Sequence, residues 1–170
     1  MSSNAIHALG LGLAFLAALP AAAAQWHEEA GKKLRALRDA GVALAQKRCP
    51  APIGVQSRSV KNTFAPEVTD TIQTISCPRM RVEIYRSNHA KPPRETVASL
   101  SLSDPDVALP YGLGLGTPRQ AVENLFGKPD RAESERVSYY VPDEGPGDDA
   151  ITFMFRNNQV SRIVMQFHVE

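Results

Sequence analysis

The sequence predicts an α+β domain in which an amino-terminal helix and a short helix pack on a mostly antiparallel sheet. Apolar or small residues recur at steps of three and four from Trp26 to Lys47, which is the period of a helix. A second, shorter stripe with this period covers residues Ala121 to Phe126. Apolar and polar residues alternate from Met80 to Arg86 and again from Ile151 to Phe155, as in half-buried antiparallel strands. Such segments bury their apolar faces by packing as layers around one core.

The first 24 residues have the pattern of a secretory signal peptide. An apolar run from Leu9 to Leu19 is followed by Pro20 and by the small residues Ala21–Ala24. The run is shorter than the roughly 20 apolar residues that span a bilayer. We therefore expect cleavage after Ala24 and a periplasmic or secreted protein. Because no cysteine stands at the cleavage site, we expect no lipid anchor.

Residues 25–170 have the length of a single domain. We divide them into a helical segment (25–52), a strand-rich half (53–108) and a final helix with three strands (109–170). The formal net charge is +1, so no bulk field attracts the chain to nucleic acid. No other segment is apolar enough to predict a membrane span.

The two cysteines, Cys49 and Cys77, predict one disulfide, because an even cysteine count in an exported protein usually reflects pairing. The alternatives are two buried thiols or a pair kept for a metal. No histidine stands near either cysteine at a ligand spacing, so the pair is a poor zinc site.

Local signals also place the individual elements. The motif Cys49-Pro50-Ala51-Pro52 ends the first helix. Thr117 and Pro118 suit the cap and first turn of the short helix, Leu125 and Phe126 its buried side, and Gly127 its end. Asn157-Asn158 predicts a tight hairpin turn. The sheet is expected to hold about six strands: Thr71–Ser76, Met80–Arg86, Glu95–Leu102, Arg136–Val141, Ile151–Phe155 and Ser161–Val169.

One stretch resembles a known family. The pattern Gly-x-Gly-Thr-Pro-x-x-Ala-Val-x-x-Leu-Phe-Gly-Lys-Pro-Asp, from Gly114 to Asp130, resembles the motif of the SmpA/OmlA outer-membrane assembly proteins. The resemblance covers roughly residues 109–167 and extends to Tyr139, Tyr140 and the Asn–Asn hairpin. The chain lacks the lipoprotein cysteine of the best-known members. The resemblance implies a β-lactamase-inhibitor-like fold and the binding of other proteins, not a reaction.

We predict no catalytic, cofactor-binding or metal-binding residue, and hence no enzyme. The run Gly112-x-Gly114-x-Gly116 lacks the remaining marks of a dinucleotide or phosphate loop. The histidines have no metal-ligand spacing, and no Gly-x-Ser-x-Gly elbow is present; the three beyond the leader are His27, His89 and His168. The acidic loop Asp143–Asp149 lacks the ligand spacing of an EF-hand.

Basic residues recur between positions 79 and 94, and the sequence leaves open whether they meet a polyanion or only keep the protein soluble.

Together these observations predict a non-catalytic protein-interaction module of the cell envelope, acting as scaffold, accessory subunit or inhibitor. Its partner would be another envelope or extracellular protein. The alternative is a binder of a small or envelope-derived ligand in a cavity between sheet and helix. Tyr139 and Tyr140 are the expected contact surface, because tyrosine is enriched among residues that dominate binding energy. Since neighbouring strand residues face opposite ways, one of the two can pack inward.

Overall fold

A computed structural model describes residues 19–47, 51–62, 65–89, 91–142 and 149–169. Helix α1 spans Leu19–Gln46 and helix α2 spans Arg119–Phe126, with a 3-10 turn at Pro110–Gly112. The described residues also form eight strands: β1 (Gly54–Lys61), β2 (Thr69–Ser76), β3 (Met80–Ser87), β4 (Arg94–Leu102), β5 (Arg131–Ala132), β6 (Arg136–Val141), β7 (Asp149–Arg156) and β8 (Gln159–Gln166).

The predicted α+β class is confirmed: both helices pack on one antiparallel sheet in the order β1-β2-β3-β4-β8-β7-β6-β5. The chain forms a helix and a four-stranded meander twice in succession, and the last strands of the two meanders, β4 and β8, pair with each other. The sheet has eight strands rather than about six. The two additional strands are β1, which has few apolar residues, and β5, which has two residues in all.

The core lies on the sheet face that carries the helices. Leu34, Leu37 and Ala45 of α1 are buried there, together with Val122 and Phe126 of α2. Beneath them, the strand register aligns one row of side chains across seven strands: Tyr139, Ile151, Met165, Leu100, Val82, Ile75 and Val55. All but the last are at most 6% exposed, whereas Val55 is 53% exposed. The apolar row therefore extends beyond the cover of the helices.

Helix α1 begins at Leu19, within the expected signal peptide, and earlier than the predicted Trp26. Its first described core residue is Ala30. Cleavage after Ala24 would therefore leave all the described core contacts of α1 in place. No helix among the described residues is long and apolar enough to cross a membrane.

The start of α2 differs from the prediction. Pro118, not Thr117, occupies the cap position, and no side chain among the described residues caps the helix. The Thr117 hydroxyl instead accepts a hydrogen bond from the Gly114 N–H (3.1 Å). The Arg119 N–H donates to the Asn158 carbonyl (2.9 Å), so the hairpin turn satisfies one of the N–H groups that the first turn of a helix leaves without an intrahelical partner.

The other end of α2 follows the predicted chemistry. Gly127 has φ of +81° and its N–H donates to the Glu123 carbonyl (2.8 Å). Phe126 is buried as predicted, but Leu125 is only partly buried. The reason is helical geometry: Val122 and Phe126, four residues apart, share the face that meets the sheet, and Leu125 lies at its margin.

Cys77, just after β2, is buried. Cys49 lies outside the described residues. The Cys49–Cys77 disulfide therefore stays a prediction.

Candidate functional site

The two tyrosines proposed as a contact surface lie on opposite faces of β6. Tyr139 is 2% exposed, and its ring lies 5.2 Å from that of Phe126 and 6.3 Å from that of Phe153. Its hydroxyl donates to the Gly127 carbonyl (3.2 Å), and burial raises its pKa well above the ordinary value. Tyr139 is therefore a core residue. Only Tyr140, partly exposed beneath the Arg131 guanidinium, is available for contact.

The two edges of the sheet differ. At one edge β5 has only two residues, as is common for edges that avoid unwanted pairing. At the other edge β1 runs for eight residues, and its outer side pairs with no strand in the described parts of the chain. Such an edge presents unpaired backbone N–H and C=O groups. The fold therefore offers one long site at which another strand can add.

This open edge also carries exposed apolar side chains. The exposed large hydrophobic residues among those described are Ile53 (72%), Val55 (53%) and Tyr111 (50%). Ile53 and Val55 are two residues apart and share a face of the strand, the face on which Val55 lies beside Ile75 of the core. Two of these three residues thus belong to one small region at the start of β1.

An apolar groove adjoins this region. Its volume is about 590 Å³, and its apolar lining includes Leu44, Ala51, Cys77, Pro78, Met80, Leu102 and Val107. The Ile53 N–H donates to the Ser76 carbonyl (2.8 Å), which places Ile53 next to Cys77 in the groove wall. We call β1, Ile53 and this groove the edge surface.

The edge surface is apolar at one end and cationic at the other. Arg58 and Lys61 are exposed, and β1 contains no carboxylate. Lys61 lies on the same face as Val55, and Arg58 lies on the opposite face, because side chains alternate along a strand.

A second cleft, of about 540 Å³, lies between α1 and the sheet. Val42, Ile84, Val97 and Phe167 form its apolar part. The charged part comprises Arg38, Asp39, Glu95, Asp149 and His168. Arg38 pairs with Asp39 (2.9 Å) and with Asp149 (3.6 Å), and Glu95 pairs with Arg86. Since two carboxylates share Arg38, the cleft is weakly negative.

Three of the basic residues at positions 79–94 are matched by carboxylates. Arg79 lies 3.6 Å from both Asp104 and Asp106, Arg81 lies 3.2 Å from Glu83, and Arg86 pairs with Glu95. This arrangement reduces the positive potential that would attract a polyanion.

A buried polar cluster lies near the ends of β1, β2 and β3. The carboxylate of Asp70 is fully buried and accepts hydrogen bonds from the Tyr85 hydroxyl, the Asn88 N–H (2.8 Å) and the Asn62 amide (2.7 Å). These donors, led by Tyr85, hold the pKa of Asp70 below its ordinary value. Burial and the hydrogen bond to Asp70 raise the pKa of Tyr85 to about 12. Because every oxygen is matched by a donor, the cluster joins strands rather than awaiting a ligand.

The glycine run before α2 has a structural role. Gly112 and Gly116 have φ of +68° and +83°, and the Gly116 N–H donates to the Val160 carbonyl (2.8 Å), so the glycine run forms the turns before α2. In the described part of the chain, no three His, Cys, Asp or Glu side chains are grouped so that they could hold a metal ion. The acidic loop lies outside the described residues apart from Asp149, which accepts from the His168 N–H (2.6 Å).

The chain matches no family in a comparison with known protein families, and no curated protein or solved structure matches it either. The resemblance to the SmpA/OmlA proteins therefore stays a prediction.

Sequence reasoning did not find the edge surface. β1 is largely polar on both faces, so the alternation typical of a half-buried strand is missing. The available signal was the pair of β-branched residues at positions 53 and 55, with Val60 following in a segment free of proline.

Proposed function

We propose that this chain is an exported, non-catalytic protein-interaction module of the cell envelope, acting as scaffold, accessory subunit or inhibitor, and that it contacts its partner through the edge surface. The observation that carries the proposal is the core row that ends at the exposed Val55, on an edge strand whose outer side pairs with no strand among the described residues. In a protein that acts alone, exposed apolar surface beside unpaired backbone groups promotes aggregation.

The shape of the site favours a macromolecular partner. The outer side of an eight-residue edge strand is best satisfied by another strand, and the adjoining apolar groove extends the contact beyond that strand. Tyr140 is a secondary contact only, because it lies on the sheet face opposite Val55.

The test is site-specific photocrosslinking in intact cells. A photoreactive residue is placed at Val55 or, as a matched control, at the exposed Ala132 on the opposite edge. We expect a discrete adduct with one other envelope protein from position 55 and none from position 132. Absence of any adduct, or the same adducts from both positions, would overturn the proposed contact surface. Turnover of a substrate by the purified protein would overturn the non-catalytic assignment.

A second function, binding of a small ligand, is favoured by the cleft between α1 and the sheet. Its apolar lining residues and weak net negative charge suit a small cation with an apolar body. The probe is phenethylammonium, with neutral 2-phenylethanol as its control. We expect chemical-shift changes at Val97 and Phe167 with the cation only, and their loss in a Val42→Phe variant that fills the cleft. Equal effects of both compounds, or none, would exclude this function.

A further inference from the structure

We infer that the occupant of the edge surface is an extended segment of a different protein, which pairs antiparallel with β1 as a ninth strand, with acidic residues opposite Lys61 and Arg58 and apolar residues opposite Val55 and Ile53. This inference rests on the proposed function and specifies the chemistry of the partner.

The backbone of β1 determines the kind of occupant. The outer N–H and C=O groups of an edge strand are best satisfied by another strand. Every pair in the sheet is antiparallel, and antiparallel pairing is slightly more stable per residue than parallel pairing. An antiparallel addition therefore continues the existing ladder.

The side chains of β1 determine the order of residues in the occupant. Directly opposite residues in an antiparallel pair share a face. Counted from its amino terminus, the added strand meets Lys61 first, then Arg58, then Val55 and finally Ile53. Its sequence must accordingly begin acidic and end apolar, with the apolar side chains extending the core row over the helix-bearing face.

The positive charges of β1 support acidic residues at the amino-terminal end of the added strand. Arg58 and Lys61 are exposed, and neither forms an ion pair within the described structure. Opposite charges directly across two strands are stabilising, and like charges are destabilising. A strand with basic residues at this end is therefore rejected, which gives the edge a preference among partners.

A second copy of the chain fits the edge poorly. The antiparallel self-pairing that overlaps all of residues 53–61 and keeps both helix-bearing faces on the same side places Ser57 opposite itself. In that register Ile53 faces Lys61 and Val55 faces Ser59, so neither the apolar nor the charged residues find suitable neighbours. We therefore expect a partner of different sequence.

The probe is a nine-residue peptide with glutamate at its first and fourth positions, valine at its seventh, isoleucine at its ninth and threonine elsewhere. One control is the reversed peptide of identical composition, and a second replaces both glutamates by lysine. We expect amide shift changes and slowed hydrogen exchange along β1 with the probe, and binding at least about tenfold weaker with either control.

A charge exchange distinguishes recognition from general damage to the fold. The double variant Arg58→Glu, Lys61→Glu changes only exposed side chains. This variant should no longer bind the glutamate-containing probe and should bind the lysine-containing control peptide instead. Val55→Asp should lower the affinity for the glutamate-containing probe by about tenfold or more without altering the circular dichroism spectrum.

Equal binding of probe and reversed peptide, or shift changes away from β1, would overturn the inference. A concentration-dependent dimer that Val55→Asp abolishes would also overturn it, because a second copy would then occupy the edge. If no peptide binds while the position-55 crosslink persists, the inference fails and the proposed contact surface stands. If the crosslink is also absent, both fail.

Discussion

At the scale of single residues, buried Asp70 shows how one carboxylate joins three strands. Asp70 lies near the start of β2. The groups that donate hydrogen bonds to its carboxylate come from Asn62 after β1, Tyr85 in β3 and Asn88 after β3. Burial of a charge is costly unless hydrogen bonds compensate for lost hydration, and here three donors do so. The cluster thereby holds together the half of the sheet that ends in the edge surface.

We predict that the stability of the protein falls on acidification because of Asp70. Its pKa is lower in the folded protein than the ordinary value of 3.8, so the folded state binds its proton less readily than the unfolded chain does. The stabilisation is complete above the unfolded pKa and is lost as the pH falls through the folded pKa. Urea unfolding between about pH 6 and pH 2 should show this loss.

The matched variants are Asp70→Asn and Tyr85→Phe. Asp70→Asn should cost about 1–3 kcal/mol near neutral pH and remove its part of the acid dependence. Tyr85→Phe removes the strongest donor, so the pKa of Asp70 should rise and acid-induced destabilisation should begin at higher pH. An unchanged pH profile in both variants would contradict this account.

Gly41 provides a second residue-scale prediction, on packing. It is buried where α1 crosses the sheet, and a Cβ at this position would overlap the sulfur of Met165. Gly41→Ala should therefore destabilise the protein by about 1–3 kcal/mol, although alanine is the better helix former. The control is Ala43→Gly on the exposed side of the same helix, which should cost about 1 kcal/mol through helix propensity alone. Stabilisation by Gly41→Ala would refute the close contact.

At the scale of elements, α2 is held to the sheet by one aromatic cluster. The ring of Phe126 stacks on Phe153 at 6.0 Å and meets Tyr139 at 5.2 Å. Its neighbour Leu125 is only partly buried. The helix thus depends on the side chains four residues apart that point at the sheet, Val122 and Phe126.

We predict that Phe126→Ala costs about 3–5 kcal/mol, as expected for a large core side chain. Leu125→Ala should cost clearly less, because part of its surface is already exposed to water in the folded state. Thermal or urea unfolding of both variants measures the difference. A larger loss from Leu125→Ala would show that the helix presents a different face to the sheet.

At the scale of the whole molecule, the two helix-plus-meander halves form one continuous sheet because β4 and β8 pair. The junction is central, so both halves share one core. The open edge then lies at the far end of the first half. Its position follows from the strand order and not from any local sequence signal.

Export is a prediction at this scale. Mass spectrometry of the protein isolated from its native cells should find an amino terminus at or close to Gln25, because the leader ends in small residues at Ala24. The shortened protein should unfold at the same temperature as the full chain, since the described core contacts of α1 begin at Ala30. Recovery of only the full-length chain would contradict the predicted cleavage.

The sequence by itself determined the α+β class, both helices, six of the strands and the Asn157–Asn158 turn. These features depend on residue spacing within short segments, where helix and strand periods, glycine and the turn residues act locally. The alternation at Tyr139 and Tyr140 likewise showed that the two must point opposite ways. It did not show which of them faces the core.

Only the tertiary structure decided the strand order, the inward direction of Tyr139, the partial exposure of Leu125 and the existence of β1. Each depends on which distant segment packs against a residue, and spacing along the chain does not encode that. β1 is the clearest case: as a mostly polar strand it is held largely by its backbone pairing with β2, so its formation requires the partner strand. For the same reason, Val55 could be recognised as the exposed end of the core row only after the register of all seven strands was known.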